Sequence, residues 1–270
     1  MKIAFLGGGN MANALIGGLL AKGFEARSIS VIDVSPAARE RLATRHGVRV
    51  STDPDAATGE ADTLLLAVKP QEMRAALSGF PGNLNQKLVI SIAAGVRLEA
   101  LSRWLGGHRK LVRCMPNTPA LIGAGITALY APAEVTAEER KKAETILGAV
   151  GEVVWVHEER LLAPVTAVSG SGPAYVFWFI EQLAASAEKL GITREISIKL
   201  ALHTVLGSAK LAAASSASPR ELREKVTSKG GTTEAALGVF DQEKLAERFA
   251  RALEAASRRG GELGDELGKD

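Results

Sequence analysis

Residues 2–12 read Lys2-Ile3-Ala4-Phe5-Leu6-Gly7-Gly8-Gly9-Asn10-Met11-Ala12. An apolar run breaks on three glycines and passes directly into a second apolar segment, the pattern of a buried strand turning into a helix. Gly7 suits the tight turn, and Gly9 has no side chain to keep a ligand from the backbone. Ala12, third in a Gly-x-Gly-x-x-Ala spacing, lets the helix lie close to the strand. The first-turn amides then face outward beyond the glycines, where a dinucleotide pyrophosphate would sit. The spacing alone also fits an ordinary strand-to-helix turn; the strand before it and the place at the N-terminus favour the nucleotide reading.

Working outward, Met11 to Ala21 continues the helix, with Ala14, Leu15, Leu19 and Leu20 beside the small Gly17 and Gly18. Ile29 to Val34 is a second strand. Ser35-Pro36 supplies an N-cap and a proline at the first helical position, opening a charged helix through Arg45 that Gly47 ends. Thr63 to Val68 (TLLLAV) reads as a continuous apolar strand, as a sheet covered on both faces requires, and Leu88 to Ala94 and Leu111 to Met115 are further candidates. Thr136 with Glu139 forms a capping box that predicts a helix from Thr136 to Val150, followed by a last strand from Glu152 to Val156. Alternation of strand and helix over residues 1–157 implies an α/β domain built on a mostly parallel, doubly wound sheet. From 158 to 270 no strand-like run follows, and apolar positions recur at helical spacing, as at Ile198, Leu202, Val205, Ala209 and Ala212. This second domain reads as all helical, and faces so rich in small apolar residues often meet a partner subunit. Ser218-Pro219 with Glu221 marks another helix start, and the last dozen residues, from Arg258, read as frayed.

A chain of 270 residues accommodates two domains. The formal net charge of +3, with 23% charged residues, argues against a nucleic-acid surface. A single cysteine, Cys114, excludes an intramolecular disulfide framework, and no metal-binding spacing is visible. Met1-Lys2 leads straight into the first strand, leaving no room for a signal peptide, and no uninterrupted apolar run reaches membrane-spanning length. The expectation is a cytoplasmic protein with no nucleic-acid or membrane partner.

In an open α/β sheet, ligands bind beyond the carboxyl ends of the strands. The candidates there are Asp33-Val34-Ser35, Ala67-Val68-Lys69-Pro70, Ala93-Ala94-Gly95 and Cys114-Met115-Pro116-Asn117-Thr118-Pro119. Prolines shape loops of any purpose, and Lys69 reads equally well as a solvated charge. Asp33 favours NADH, because a carboxylate at the second strand binds ribose hydroxyls and repels a 2′-phosphate; Arg39 and Lys69 offer the opposite, so NADPH and NADH both stay open. Thr227-Ser228-Lys229-Gly230-Gly231-Thr232-Thr233-Glu234 precedes an apolar helical run, and glycines with hydroxyls at a helix start form an anion site suited to a carboxylate. Ser169-Gly170-Ser171-Gly172 reads as a similar loop opening a helix from Tyr175 to Leu190. The four histidines, His46, His108, His157 and His203, have no partner at catalytic or metal spacing; His203, among apolar residues, reads as the buried one. Lys199 and Lys210 fall on helical faces, where lysines are most often solvated.

Taken together, FLGGGNMA, AVKPQ, AAG, RCMPNTP, SGSGPAY and VTSKGGTT resemble the pyrroline-5-carboxylate reductases nearly end to end, in that family's order and separations. The resemblance implies a Rossmann domain, a C-terminal helical domain that forms a homodimer, and commonly a ring of dimers, a decamer. It places Gly7, Gly8, Gly9, Asn10, Met11 and Ala12 on the pyrophosphate of NADPH or NADH. Asp33, Ser35, Ala67, Val68, Lys69, Pro70, Ala93, Ala94 and Asn117 then lie along the cofactor groove. Ser228, Gly230, Gly231, Thr232 and Thr233 become the cradle for the carboxylate of 1-pyrroline-5-carboxylate, with the Thr233 hydroxyl near the ring nitrogen. Lys229 stands where many members have proline, Lys225 where many have asparagine, and Asp33 departs from the neutral residue of many NADPH-preferring members. The implied reaction is hydride transfer to the imine carbon, giving L-proline as the last step of proline biosynthesis, with Thr233 orienting or relaying the proton. The alternatives are a reductase or dehydrogenase of the same build acting on another imino or hydroxy acid, or a dinucleotide sensor without catalysis.

Overall fold

A computed structural model of the protein describes residues 1–54, 58–78, 80, 84 and 87–269. Among these, eight strands form one sheet in the order β3-β2-β1-β4-β5-β6-β7-β8. They are β1 (Ile3–Leu6), β2 (Ile29–Ile32), β3 (Arg49–Ser51), β4 (Thr63–Leu66), β5 (Leu88–Ser91), β6 (Leu111–Met115), β7 (Gly125–Tyr130) and β8 (Gly151–Trp155). Alternation along the strands explains the double covering. Ile3 and Phe5 join one buried cluster with Leu15, Ile16 and Leu19, while Ala4 and Leu6 join another with Met73, Leu77 and Leu101. The same division separates Leu65 from Leu64 and Leu66.

The helices beside this sheet are α1 (Asn10–Ala21), α2 (Pro36–His46), α3 (Met73–Ser78), α4 (Leu98–Trp104), α5 (Ala137–Leu147) and α6 (Leu162–Val165). The expected capping box of α5 is present, with the Thr136 hydroxyl accepting the Glu139 amide at 3.2 Å and the Glu139 carboxylate accepting the Thr136 amide at 2.9 Å. Two strands escaped the sequence reading. β3 is a short, partly exposed edge strand with no apolar periodicity to announce it. β7 pairs antiparallel with β6, because the connection from Met115 to Gly125 is shorter than the crossover of about a dozen residues that a parallel return needs.

The remaining helices are α7 (Gly172–Lys189), α8 (Arg194–Ala214), α9 (Pro219–Lys225), α10 (Thr232–Gln242) and α11 (Leu245–Leu267). Packing divides the chain differently from a 157/158 boundary: one compact unit is Met1–Ser171 with Glu254–Asp270, and the other is Gly172–Leu253. The tail expected to fray is the end of α11. Arg259 ion-pairs with Glu262 and Glu266, Arg97 with Asp265 at 2.6 Å, and Leu267 packs on the second cluster, so charge pairing and apolar docking order it. The loop expected at Ser169–Gly172 is instead a π-helical turn, Thr166–Gly170, in which the Ser171 amide reaches the Thr166 carbonyl at 2.8 Å.

Within the helical unit, α7 and α8 pack on each other, and Tyr175 meets Phe249 edge to face at 6.3 Å. Many large apolar side chains there remain exposed, among them Phe177, Trp178, Leu190, Leu202, Leu211 and Phe240. His203 is exposed on α8 rather than buried, since its helix has few neighbours to cover it. By length and composition α8 is apolar enough to cross a bilayer, although Lys199 and Lys210 interrupt its apolar run.

Candidate active site

The sheet order places β1 between β2 and β4, all three parallel, so the order of strand addition reverses there and the carboxyl ends of the strands open a crevice. Gly7, Gly8 and Gly9 follow β1; Asp33, Val34 and Ser35 follow β2; Ala67, Val68, Lys69 and Pro70 follow β4; Ala93 and Ala94 follow β5; and Asn117 follows β6. All the expected groove residues therefore share one edge of one sheet. Backbone bonds tie these strand ends together, with the Gly7 amide on the Ile32 carbonyl and the Ala67 amide on the Leu6 carbonyl, both at 2.7 Å.

The three glycines differ in what surrounds them. Gly7 has φ +101°, and a Cβ there would lie 2.7 Å from the Ala67 carbonyl oxygen. Gly9, the N-cap of α1, has an extended backbone, and a Cβ there would meet nothing within 4 Å. No side chain caps α1, and its first turn carries no acidic residue. Outward-facing amides with open space before them and no acidic residue in their own turn fit a pyrophosphate. Asn10 is exposed and Met11 half-buried beside this opening, whereas Ala12 is buried in the first cluster and serves the close packing of α1 on the sheet.

Asp33 is more constrained than its position alone suggested. Its Oδ2 accepts the Gly8 amide at 2.6 Å and its Oδ1 accepts the Ser35 amide at 2.7 Å. Arg39 donates to the Asp33 carbonyl at 2.6 Å, and Arg41 to the Gly8 carbonyl at 2.8 Å. Arg41 was not singled out from the sequence, since nothing in a charged helix marks one arginine as reaching back to the glycine turn. Lys69 is exposed and lies 3.8 Å from Glu72. The Asn117 side chain accepts the Ile126 amide at 3.0 Å, fastening the loop after β6 to β7. Behind the β5 and β6 ends, Glu159 accepts both the Leu98 amide at 2.8 Å and the Arg113 guanidinium at 2.9 Å.

In the helical unit, Ser228, Gly230, Gly231, Thr232 and Thr233 gather at the start of α10, whose N-cap, Gly231, has no side-chain cap. Two amides of this turn are engaged internally: Gly231 donates to the Ser228 carbonyl at 3.0 Å, and Gly230 to Glu234 at 2.6 Å. Glu234 is a second residue not singled out, though glutamate three positions after the N-cap is a recognisable capping signal. The donors left for an incoming anion are the first-turn amides of Thr232 and Thr233 with the hydroxyls beside them. Thr233 is half-buried.

Three other titratable groups have structural roles. His46 shares a hydrogen bond with Asn13 at 2.9 Å and His108 with the Lys87 carbonyl at 3.0 Å. Burial, aided by Arg45 at His46, holds both imidazoles below their ordinary range. Burial also pushes the Cys114 thiol well up, making it a packing residue. Lys199 and Lys210 are exposed on α8.

Residues 159–263 match the family model for pyrroline-5-carboxylate reductase dimerisation, and residues 2–95 match that for coenzyme F420-dependent NADP oxidoreductases. A pyrroline-5-carboxylate reductase from Pseudomonas aeruginosa is 44% identical over 269 residues, covering 99% of this chain and 98% of the relative. The chain belongs to the pyrroline-5-carboxylate reductase family. The solved pyrroline-5-carboxylate reductase of Coxiella burnetii superposes with a TM-score of 0.93 at 40% identity, covering 97% of this chain and 98% of that one. The Plasmodium falciparum pyrroline carboxylate reductase, solved with NADP bound, gives 0.85 at 28% identity and covers 98% of each chain. For a pyrroline-5-carboxylate reductase, the exposed apolar side chains of α7, α8 and α10 have a ready explanation, since all three helices lie inside the region matched by the dimerisation family.

Proposed function

We propose that this chain reduces 1-pyrroline-5-carboxylate to L-proline with NADPH or NADH, the last step of proline biosynthesis. The observation that carries the proposal is identity of 44% along 99% of the chain, which takes in both the glycine turn and the Ser228–Thr233 segment. Reduced nicotinamide, when bound, supplies the hydride for the imine carbon. The chain's own part is to hold the reactants and manage one proton. The uncapped start of α1 holds the pyrophosphate, and the strand-end loops at Ala67–Pro70, Ala93–Ala94 and Asn117 line the rest of the groove. The start of α10 holds the substrate carboxylate on backbone amides and hydroxyls. Thr233 orients the ring nitrogen and relays the proton that nitrogen gains as the carbon–nitrogen double bond becomes single. An imine is basic enough to need no strong acid, which is compatible with the structural roles of His46 and His108. Positioning therefore supplies most of the acceleration.

The protein works as a cytoplasmic homodimer in this reading, with its helical unit at the subunit interface. Assembly of dimers into a ring extends the same reading.

The carboxylate cradle has a direct test in 1-pyrroline, the same imine without the carboxylate. Its kcat/KM should fall at least about 100-fold below that of 1-pyrroline-5-carboxylate, because binding energy at the carboxylate is spent on orienting the imine. Equal efficiency would remove the cradle from the substrate site.

A further inference from the structure

The reductase reading leaves open which dinucleotide the chain takes, and the bonding around Asp33 bears on that choice. We infer that Asp33 makes this chain an NADH-preferring enzyme, by placing its own carboxylate on the backbone amides that a 2′-phosphate would require. The inference rests on the proposed function and on three observations. First, Asp33 directly follows β2, which neighbours β1, at the position where an acidic side chain accepts from the ribose hydroxyls. Second, both carboxylate oxygens are already held, on the amides of Gly8 (2.6 Å) and Ser35 (2.7 Å), which fixes the negative charge between the glycine turn and the start of α2. Third, the start of α2 has few donors left for a phosphate. The Ser35 amide is taken by Asp33, Pro36 has no N–H, and the Ala38 amide goes to the Ser35 hydroxyl at 3.3 Å.

A helix N-terminus that would otherwise receive a phosphate is thus already neutralised from within the chain. The two nearby guanidiniums do not reverse this. Arg39 is anchored on the Asp33 carbonyl and so braces the loop that carries the carboxylate, while Arg41 is anchored on the Gly8 carbonyl and braces the glycine turn. A 2′-phosphate approaching here meets a fixed like charge, whereas a ribose diol meets an acceptor.

The test is dissociation constants measured by calorimetry for NADH and NADPH, and for the adenosine fragments 5′-AMP and 2′,5′-ADP, on the wild-type chain and on Asp33→Asn. The wild type should bind NADH at least about tenfold more tightly than NADPH, and the fragments should follow the same order. Asp33→Asn should bring the two dinucleotides within about threefold of each other, NADPH gaining while NADH loses. The inference is overturned by wild-type protein that binds NADPH as tightly as NADH, an outcome that would give Arg39 and Arg41 to the phosphate. Asp33→Asn weakening both dinucleotides equally would overturn it as well, by reducing Asp33 to a brace for the glycine turn. Folded wild-type protein that binds neither dinucleotide would overturn the reductase reading along with this inference, a result distinct from equal binding. The wild-type ratio stands on its own should the variant fold poorly.

Discussion

Gly9→Val is expected to abolish tight dinucleotide binding while leaving the thermal unfolding midpoint close to that of the wild type. The backbone at Gly9 is extended (φ −69°, ψ −171°), a conformation valine adopts readily, and a Cβ there meets no atom of the protein within 4 Å. The added side chain therefore costs the fold little and occupies the space in front of the first turn of α1. The dissociation constant should rise at least about 100-fold, since the pyrophosphate loses its approach to several amides together. Gly7→Ala makes the contrasting control. There the backbone is left-handed (φ +101°) and the new methyl would press on the Ala67 carbonyl at 2.7 Å and on Val68 at 2.9 Å. Strain of about 1–3 kcal/mol is expected, visible as a lowered midpoint whatever happens to binding. Paired thermal melts and binding titrations separate the two variants. Wild-type affinity in Gly9→Val would move the pyrophosphate away from this turn.

Thr233→Ala should lower kcat by about 10²-fold or more while the dissociation constant for the dinucleotide stays near the wild-type value. The reason is local. Thr233 sits in the first turn of α10, in the helical unit, whereas the glycine turn belongs to the sheet unit. A hydroxyl that orients and relays the nitrogen's proton matters only as the imine is reduced, so its loss appears in turnover. Thr233→Ser keeps the hydroxyl and should recover most of the rate. Equal losses of kcat and of dinucleotide affinity in Thr233→Ala would take the role away, and so would a serine variant as slow as the alanine one.

Much of the fold was legible because the sheet is covered on both sides. Strands such as Thr63–Leu66, three leucines after a buried threonine, must then be largely apolar on both faces, and runs of that kind stand out between helices with clear caps at Ser35 and Thr136. β7 was not legible, since its antiparallel return follows from the length of the connection and not from a run of residues distinct from its neighbours. The end of α11 misled for another reason: Arg258-Arg259-Gly260-Gly261 looks like a poor helix, and the Arg97–Asp265 pair and the Leu267 contact that stabilise it come from residues far away in the chain.

The site shows the same division. Positions at strand ends could be named in advance, because topology alone puts them on one edge of the sheet. What each group is bonded to could not. Asp33 bridging the amides of Gly8 and Ser35, Arg41 reaching the Gly8 carbonyl and Glu234 taking the Gly230 amide all depend on side-chain direction once the turns have formed. Those bonds decide which amides remain for a ligand.

Reduction of the imine by this chain is tested by incubating the purified protein with 1-pyrroline-5-carboxylate and reduced dinucleotide, NADH and NADPH in turn, and assaying both dinucleotide oxidation and proline. Imine-dependent oxidation is expected, with L-proline formed mole for mole. Folded protein that binds dinucleotide yet forms no proline with either cofactor would contradict it.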